Sequence, residues 1–247
     1  MTKTALITGA SRGIGKALSH YFAKQGYNLV LIAKQEATLK RVFDELSEEF
    51  PHLNIKTHSL DFAQPEVTAN SFKAILEQHE SIDVLVNSAG VLKAGHIDLT
   101  FEQLSELMNV NLLSTIAVCN AVAEKMKQQG FGEIYNLGST AGLSPVPKIA
   151  AYSSTKAAMV SYSQSLYQEL LPHNVQVCCL CPSVVDTDMT NDGRIKNELK
   201  IEPEDLAKAI DFARSLSTGA AMSILPIRCK VIDLSLIHIS EPTRRYE

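Results

Sequence analysis

The chain has 247 residues, 45% of them apolar and 20% charged, with a formal net charge of −4 and a pI near 6.0. That length and balance suit one large α/β domain with a sizeable buried core. The slightly acidic charge gives no electrostatic footing for nucleic acid or an anionic membrane.

Residues 3–8 are a short apolar run that reads as a strand. It ends in Gly9-Ala-Ser-Arg-Gly13-Ile-Gly15, and a helical pattern follows with Ile14, Ala17, Leu18, Tyr21 and Phe22 on one face, closed by Gly26. Residues 28–33 read as a second buried strand. A strand, a glycine turn, a helix and a second strand are what a phosphate-binding fold needs. Glycine lets the backbone turn sharply and approach a pyrophosphate, and the helix N-terminus offers free N–H groups and the positive end of its dipole. Where NAD-binding folds place an acid for the ribose 2′-hydroxyl, the second strand ends instead in Ala33-Lys34, and Arg12 lies in the glycine turn. Two cations and no carboxylate favour the 2′-phosphate of NADP(H) over NAD(H); the bland alternative is a pair of solvated surface charges.

Residues 36–50 read as an amphipathic helix stopped by Pro51, and residues 54–60 as a third strand ending at Asp61. A helix over 64–80 and a strand over 82–86 follow, the latter ending in Asn87-Ser-Ala-Gly90. Residues 91–100 are a loop. Thr100-Phe-Glu-Gln103 is a capping box opening one long helix to about residue 128. A fifth strand over 133–137 ends at Gly138-Ser139, and a loop with Pro145 and Pro147 leads into a helix that stops near Pro172. Residues 174–181 read as a sixth strand stopped by Pro182, residues 183–200 are polar and mixed, and Glu202-Pro203-Glu204 starts another helix. A final strand is expected over 230–233.

Five cysteines, Cys119, Cys178, Cys179, Cys181 and Cys229, lie in apolar surroundings without framework spacing, as reduced core thiols of a cytosolic protein do. No histidine spacing turns Cys178-Cys179-Leu-Cys181 into a zinc site, so no metal is expected. Met1 runs straight into a strand, with no signal peptide expected, and no apolar run approaches the roughly 20 residues of a membrane span.

Strands alternating with helices, each strand nearly continuously apolar, imply a parallel sheet covered on both faces. Ligands of such sheets bind beyond the carboxyl ends of the strands, where Gly9, Asp61, Asn87, Ser139 and Pro182 all fall. In Tyr152-Ser-Ser-Thr-Lys156 the two titratable residues stand four apart on one helix face. An ammonium there is expected to lower the tyrosine pKa from about 10 and make it an efficient proton donor. Ser139 can then bond the same substrate oxygen.

With these motifs in order, the chain resembles the short-chain dehydrogenase/reductase family over roughly residues 4–214. Thr8-Gly-Ala-Ser-Arg-Gly-Ile-Gly15 matches the cofactor turn, and Asn111, Ser139, Tyr152 and Lys156 match the catalytic tetrad. The resemblance implies a Rossmann-type doubly wound parallel sheet of about seven strands in a single domain. It implies cofactor contacts from Gly9, Ser11, Arg12, Gly13, Ile14, Gly15, Lys34, Asp61, Asn87, Ala89, Gly90, Tyr152, Lys156, Pro182, Val185 and Thr187. Ser88 departs from the usual Asn-Asn-Ala-Gly, and Pro182-Ser183 from the usual Pro-Gly. The implied activity is NADP(H)-dependent interconversion of a carbonyl compound and an alcohol by a cytoplasmic homodimer or homotetramer, with Tyr152 as general acid/base and Asn111 anchoring a relay water. Walls from residues 92–96, 143–149 and 184–200 carry few charges, which suits a neutral or weakly polar ketone. A fatty-acid-type 3-oxoacyl thioester substrate and a catalytically silent NADP(H)-sensing regulator are the alternatives.

Residues 234–247 resemble an in-frame translation of a sequencing adapter rather than this family's ending. The expectation is a domain over residues 1–233 followed by a non-native tail.

Overall fold

The computed structural model describes residues 2–95 and 97–234. Thr4–Thr8 form β1, an Ala-Leu-Ile run between two threonines, and all five are buried. Gly13–Lys24 forms α1, Asn28–Ala33 β2, Glu36–Glu49 α2, Ile55–Ser59 β3, Pro65–Glu77 α3 and Val84–Asn87 β4. Phe101–Met108 (α4) and Ser114–Gln129 (α5) flank a π turn, Asn109–Leu113. Gly132–Leu137 is β5, Ala150–Leu170 α6, Val175–Pro182 β6, Pro203–Arg214 α7 and Ile224–Ile227 β7.

All seven strands pair in parallel, in the order β3-β2-β1-β4-β5-β6-β7. This is the Rossmann-type doubly wound sheet expected from the sequence. Side-chain alternation divides its two faces. Ala5, Ile7, Leu29, Leu31, Val84 and Val86 point to one face, where α1, α2 and α7 bring Leu18, Phe22, Leu39, Leu46, Leu206 and Ile210. Leu6, Val30, Ile32, Leu85 and Ile134 point to the other, against Phe72, Ile75, Val118, Val122 and Leu166 of α3, α5 and α6. Each fully buried leucine, isoleucine or phenylalanine contributes about 1.5–3 kcal/mol of transfer free energy.

Three expectations need correction. β4 begins at Val84 rather than residue 82, because the Gln129 amide takes both backbone groups of Ile82: its N–H donates to Oε1 and its carbonyl accepts from Nε2, each at 3.0 Å. The last strand is Ile224–Ile227, not 230–233. It contains Pro226 and sits at the sheet edge, where a missing N–H is tolerated; residues 230–234 are helical. The long helix is interrupted by the π turn. Its 29 residues reach the length and apolarity of a membrane span, contrary to expectation, but half of that window is buried inside the fold, as in a core helix. Apart from Leu234, the expected foreign tail lies outside the described residues, as does His96.

Candidate active site

The predicted site residues leave the sheet at one edge, the carboxyl ends of the strands. Chain order reverses between β1 and β4, which opens a crevice there. The turn after β1 fits closely against the segment after β4. Gly9 has φ +66°, and a Cβ on it would lie 2.8 Å from the Ala89 nitrogen, so only glycine is accommodated. Thr8 Oγ1 accepts from the N–H groups of Ser88 and Ala89 at 3.1 and 3.2 Å. The Ser88 departure is therefore harmless, since the position works through its backbone. Gly15 packs its α-carbon onto the Gly9 carbonyl, where a Cβ would stand 2.2 Å away. No side chain caps α1 and no acid lies in its first turn. Its first N–H groups and dipole can therefore receive a pyrophosphate, which the glycine cradle fits.

Arg12 lies in this turn and Lys34 just past β2, and each is ion-paired. Arg12 Nη1 lies 3.2 Å from Asp188 Oδ2, and Lys34 Nζ lies 2.9 Å from Asp61 Oδ2. Burial pushes the Asp61 carboxyl up, but the Lys34 hydrogen bond, the Ala63 N–H and the Lys34 charge outweigh it and hold the group below the usual range.

Beneath the crevice runs a buried polar chain. Asn87 Nδ2 donates to Asn136 Oδ1 at 2.9 Å and to Cys119 Sγ at 3.0 Å. Asn136 Nδ2 donates to Ser163 Oγ, and Ser163 to the Met159 carbonyl. Burial pushes the Cys119 thiol up to about 12, so it stays protonated. Asn87 Oδ1 is buried without a partner among the described residues.

Tyr152 and Lys156 lie in the first two turns of α6, and Ser139 follows β5. Ser139 caps the 3-10 turn Thr140–Gly142: its Oγ accepts from the Ala141 N–H at 3.1 Å and donates to the Pro182 carbonyl at 3.4 Å. Lys156 is 5% exposed, and its Nζ donates to the Leu137 carbonyl at 2.7 Å. Burial lowers its pKa to about 8, partly countered by the neighbouring Cys179 and Cys181. Tyr152 does not follow the sequence expectation. Burial holds its phenol above the ordinary value, and only the Ser139 hydrogen bond pulls it back. The Lys156 ammonium stands 5.7 Å from the tyrosine ring centroid and is directed to Leu137 instead.

Asn111 occupies the middle of the π turn, a distortion that recurs at functional sites. Its Oδ1 accepts from the Val91 N–H at 2.8 Å, and its Nδ2 donates to the Val91 carbonyl at 2.9 Å and to Thr155 Oγ1 at 3.3 Å. A Cβ on Gly90 would stand 3.4 Å from Asn111 Oδ1 and 3.8 Å from Lys156 Nζ, which places these three residues together.

The loop after β6 brings Thr187 onto the glycine turn: a Cβ on Gly13 would meet Thr187 Cγ2 at 3.0 Å. Val185 is held by a bridge to Ile201. Ser183 needs no positive φ, so the Pro-Ser departure leaves the loop unstrained. Buried Lys200 ties this loop together, donating to the Thr190 carbonyl and to Asn197 Oδ1 at 3.0 and 2.9 Å. Gly95 N–H donates to the Lys148 carbonyl at 3.0 Å, joining two of the expected pocket walls, and Leu143, Val146, Met189 and Leu199 expose apolar surface on two of them.

Sequence reasoning singled out neither Gly142 nor Thr155 and used Thr8 only as part of a motif. A Cβ on Gly142 would lie 2.5 and 2.6 Å from the Lys156 carbonyl carbon and oxygen, so this glycine sets how closely the Ser139 turn approaches α6. Its only sequence signal is its place three residues after Ser139.

Over residues 3–198 the chain matches the family model described as short chain dehydrogenase. It is 32% identical over 227 residues to an uncharacterized oxidoreductase of Staphylococcus epidermidis, covering 92% of this chain and 96% of that one. It is 32% identical over 239 residues to a 3-oxoacyl-[acyl-carrier-protein] reductase of Chlamydia trachomatis, covering 91% and 96%. Among solved structures it resembles an alcohol dehydrogenase of the archaeon Thermococcus sibiricus complexed with 5-hydroxy-NADP, with 30% identity, a TM-score of 0.81 and coverage of 93% and 97%.

Proposed function

We propose that this chain, which belongs to the short-chain dehydrogenase family, interconverts a ketone or aldehyde and the corresponding alcohol by hydride transfer, with NADP(H) as the hydride carrier. The observation that carries the reading is the convergence of Ser139, Tyr152 and Lys156 at the end of β5, beside a glycine turn shaped for a dinucleotide.

The nicotinamide, when bound, supplies or accepts the hydride. Gly9, Gly13 and Gly15 cradle the pyrophosphate, and Arg12 and Lys34 hold the 2′-phosphate. Ser139 Oγ orients and polarises the carbonyl oxygen. Tyr152 Oη gives that oxygen its proton in reduction and takes it back in oxidation. Lys156, held by the Leu137 carbonyl with its ammonium 5.7 Å from the tyrosine ring centroid, holds the nicotinamide ribose. Asn111 anchors a water of the relay that returns a proton to Tyr152 after reduction.

Tyr152→Phe tests this. Turnover is expected to fall by at least about 10²-fold, the scale of a lost general acid, while cofactor affinity stays within about two-fold. Unchanged turnover would overturn the assignment.

A second reading, reduction of a 3-oxoacyl thioester, is favoured by the likeness to the Chlamydia trachomatis reductase. Against an acidic carrier partner, Lys93 is paired with Glu106 at 2.9 Å and Arg194 with Asp192. Rates on a 3-oxoacyl thioester and on a simple apolar ketone, compared under one set of conditions, decide between them.

A further inference from the structure

The two cations assigned to the 2′-phosphate do not stand free in the crevice. Arg12 Nη1 is 3.2 Å from Asp188 Oδ2, and Lys34 Nζ is 2.9 Å from Asp61 Oδ2. Neither carboxylate is a chain neighbour of its cation. Asp188 comes from the loop after β6, 176 positions from Arg12, and Asp61 follows β3. The Asp188 loop lies directly on the glycine turn, with Thr187 against Gly13. A groove of about 820 Å³ runs from Gly13, Thr187 and Asp188 along α1 and α7, and none of Arg12, Lys34 and Asp61 lines it. The Arg12–Asp188 pair thus spans the turn where the adenine-side phosphates approach. Both of its side chains are about 70% exposed, at 72% and 70%, so it is held weakly and can exchange. Lys34 and Asp61 form the stronger pair: hydrogen bond and charge together raise the lysine pKa and depress that of the acid.

Building on the NADP(H) reading above, we propose that Asp188 and Asp61 are specificity-determining residues: they are resident counter-anions of Arg12 and Lys34, and a 2′-phosphate binds by displacing them. The discrimination between NADP(H) and NAD(H) is then set by four charges. A 2′-phosphate gains both cations but meets two carboxylates of its own sign at the same place. A 2′-hydroxyl carries no charge and is nearly indifferent to them. Neutralising either acid should therefore tighten NADP(H) and leave NAD(H) almost unchanged.

The test is fluorescence titration of NADPH and NADH into the wild type, Arg12→Ala, Asp188→Asn and Asp61→Asn. The readout is the ratio of the two Kd values, because Asp61 by resemblance also touches the adenine that both cofactors share. Asp188→Asn is expected to raise the preference for NADPH about two- to five-fold, the scale of an exposed ion pair, and to leave the NADH Kd within about 1.5-fold. The Asp61→Asn ratio is expected to move the same way. A wild type with little preference that becomes selective in either variant would support the inference equally. Should the wild type prefer NADPH, lose that preference in Arg12→Ala and show an unchanged ratio in both acid variants, the NADP(H) reading stands and the counter-anion role is overturned. Absence of preference in every protein would overturn both.

Discussion

Replacing Lys156 with methionine should stabilise the folded protein while removing its activity. The ammonium is 5% exposed and its pKa is lowered to about 8 from an ordinary 10.5, chiefly by burial. At about 1.36 kcal/mol per pH unit, that gap corresponds to about 3 kcal/mol of unfavourable charge burial at neutral pH. Methionine fills similar space without charge. It gives up the hydrogen bond to the Leu137 carbonyl, which contributes about 1–2 kcal/mol. The net expectation at pH 7 is about 1–2 kcal/mol of added stability, or about 2–8 °C in Tm for a chain of this size. Between pH 8 and 10.5 the unfolded chain holds more protons than the folded one, so wild-type stability rises with pH across that window. The advantage of Lys156→Met should therefore be full below about pH 8 and shrink above it, with about 2 kcal/mol lost by pH 9.5. Urea unfolding of both proteins at pH 7 and 9.5 measures this, and other titrating groups cancel in the difference. A variant less stable than wild type at pH 7, or a difference that ignores pH, would refute the reasoning.

Other expectations follow from the same geometry. His58 and His79 each bury an Nε2 that has no partner among the described residues, and burial first, then Lys56, lowers both pKa values below 6.5, with His58 and Lys125 acting further on His79. Their contribution to stability is complete above pH 6.5 and lost as pH falls through the lowered values, so the denaturation midpoint should drop on acidification, and less steeply in His58→Gln. Gly142→Ala forces a Cβ onto backbone atoms of α6; about 1–3 kcal/mol of stability and at least about ten-fold in kcat should be lost, read by unfolding and steady-state assays. Asn111→Leu orphans both backbone groups of Val91 and should lower stability by about 2–4 kcal/mol in urea titrations.

How much of this was legible in the sequence depended on how local the signal was. β2 was read to the residue because five successive apolar residues, Leu29–Ala33, stand between the Gly26 break and polar Lys34-Gln35, and the Thr100–Gln103 capping box formed as written. Tyr152 and Lys156 were readable as partners because a helix fixes residues four apart on one face. β7 was missed because Pro226 masks a strand that only an edge position permits. The π turn was missed because the apolar spacing of residues 107–126 runs through it without a break. The surroundings of Lys156 come from Leu137, Cys179 and Cys181 on two other strands. No local pattern announces that its charge would be directed away from the tyrosine. The ion pairs of Arg12 and Lys34 were equally invisible, since their acids lie on other strand-end loops.

The π turn gives the helix over residues 101–129 a surplus residue, and that surplus acts as a phase shift. One extra residue per π turn rotates whatever precedes it by about 100° relative to an unbroken α-helix. α4 is thereby aimed at α6 while α5 keeps its stripe on α3 and the sheet. The helix works as a crankshaft with Asn111 at the throw, and its two halves have independent angular settings. Residue count in this segment is therefore a design variable of its own. Loss of one residue from Asn109–Leu113 would remove the surplus and let a regular helix keep α4 in its present setting, whereas closing the turn to an α-helix with its residue count unchanged would swing the Thr100 cap and all of α4 about a third of a turn out of alignment with the site.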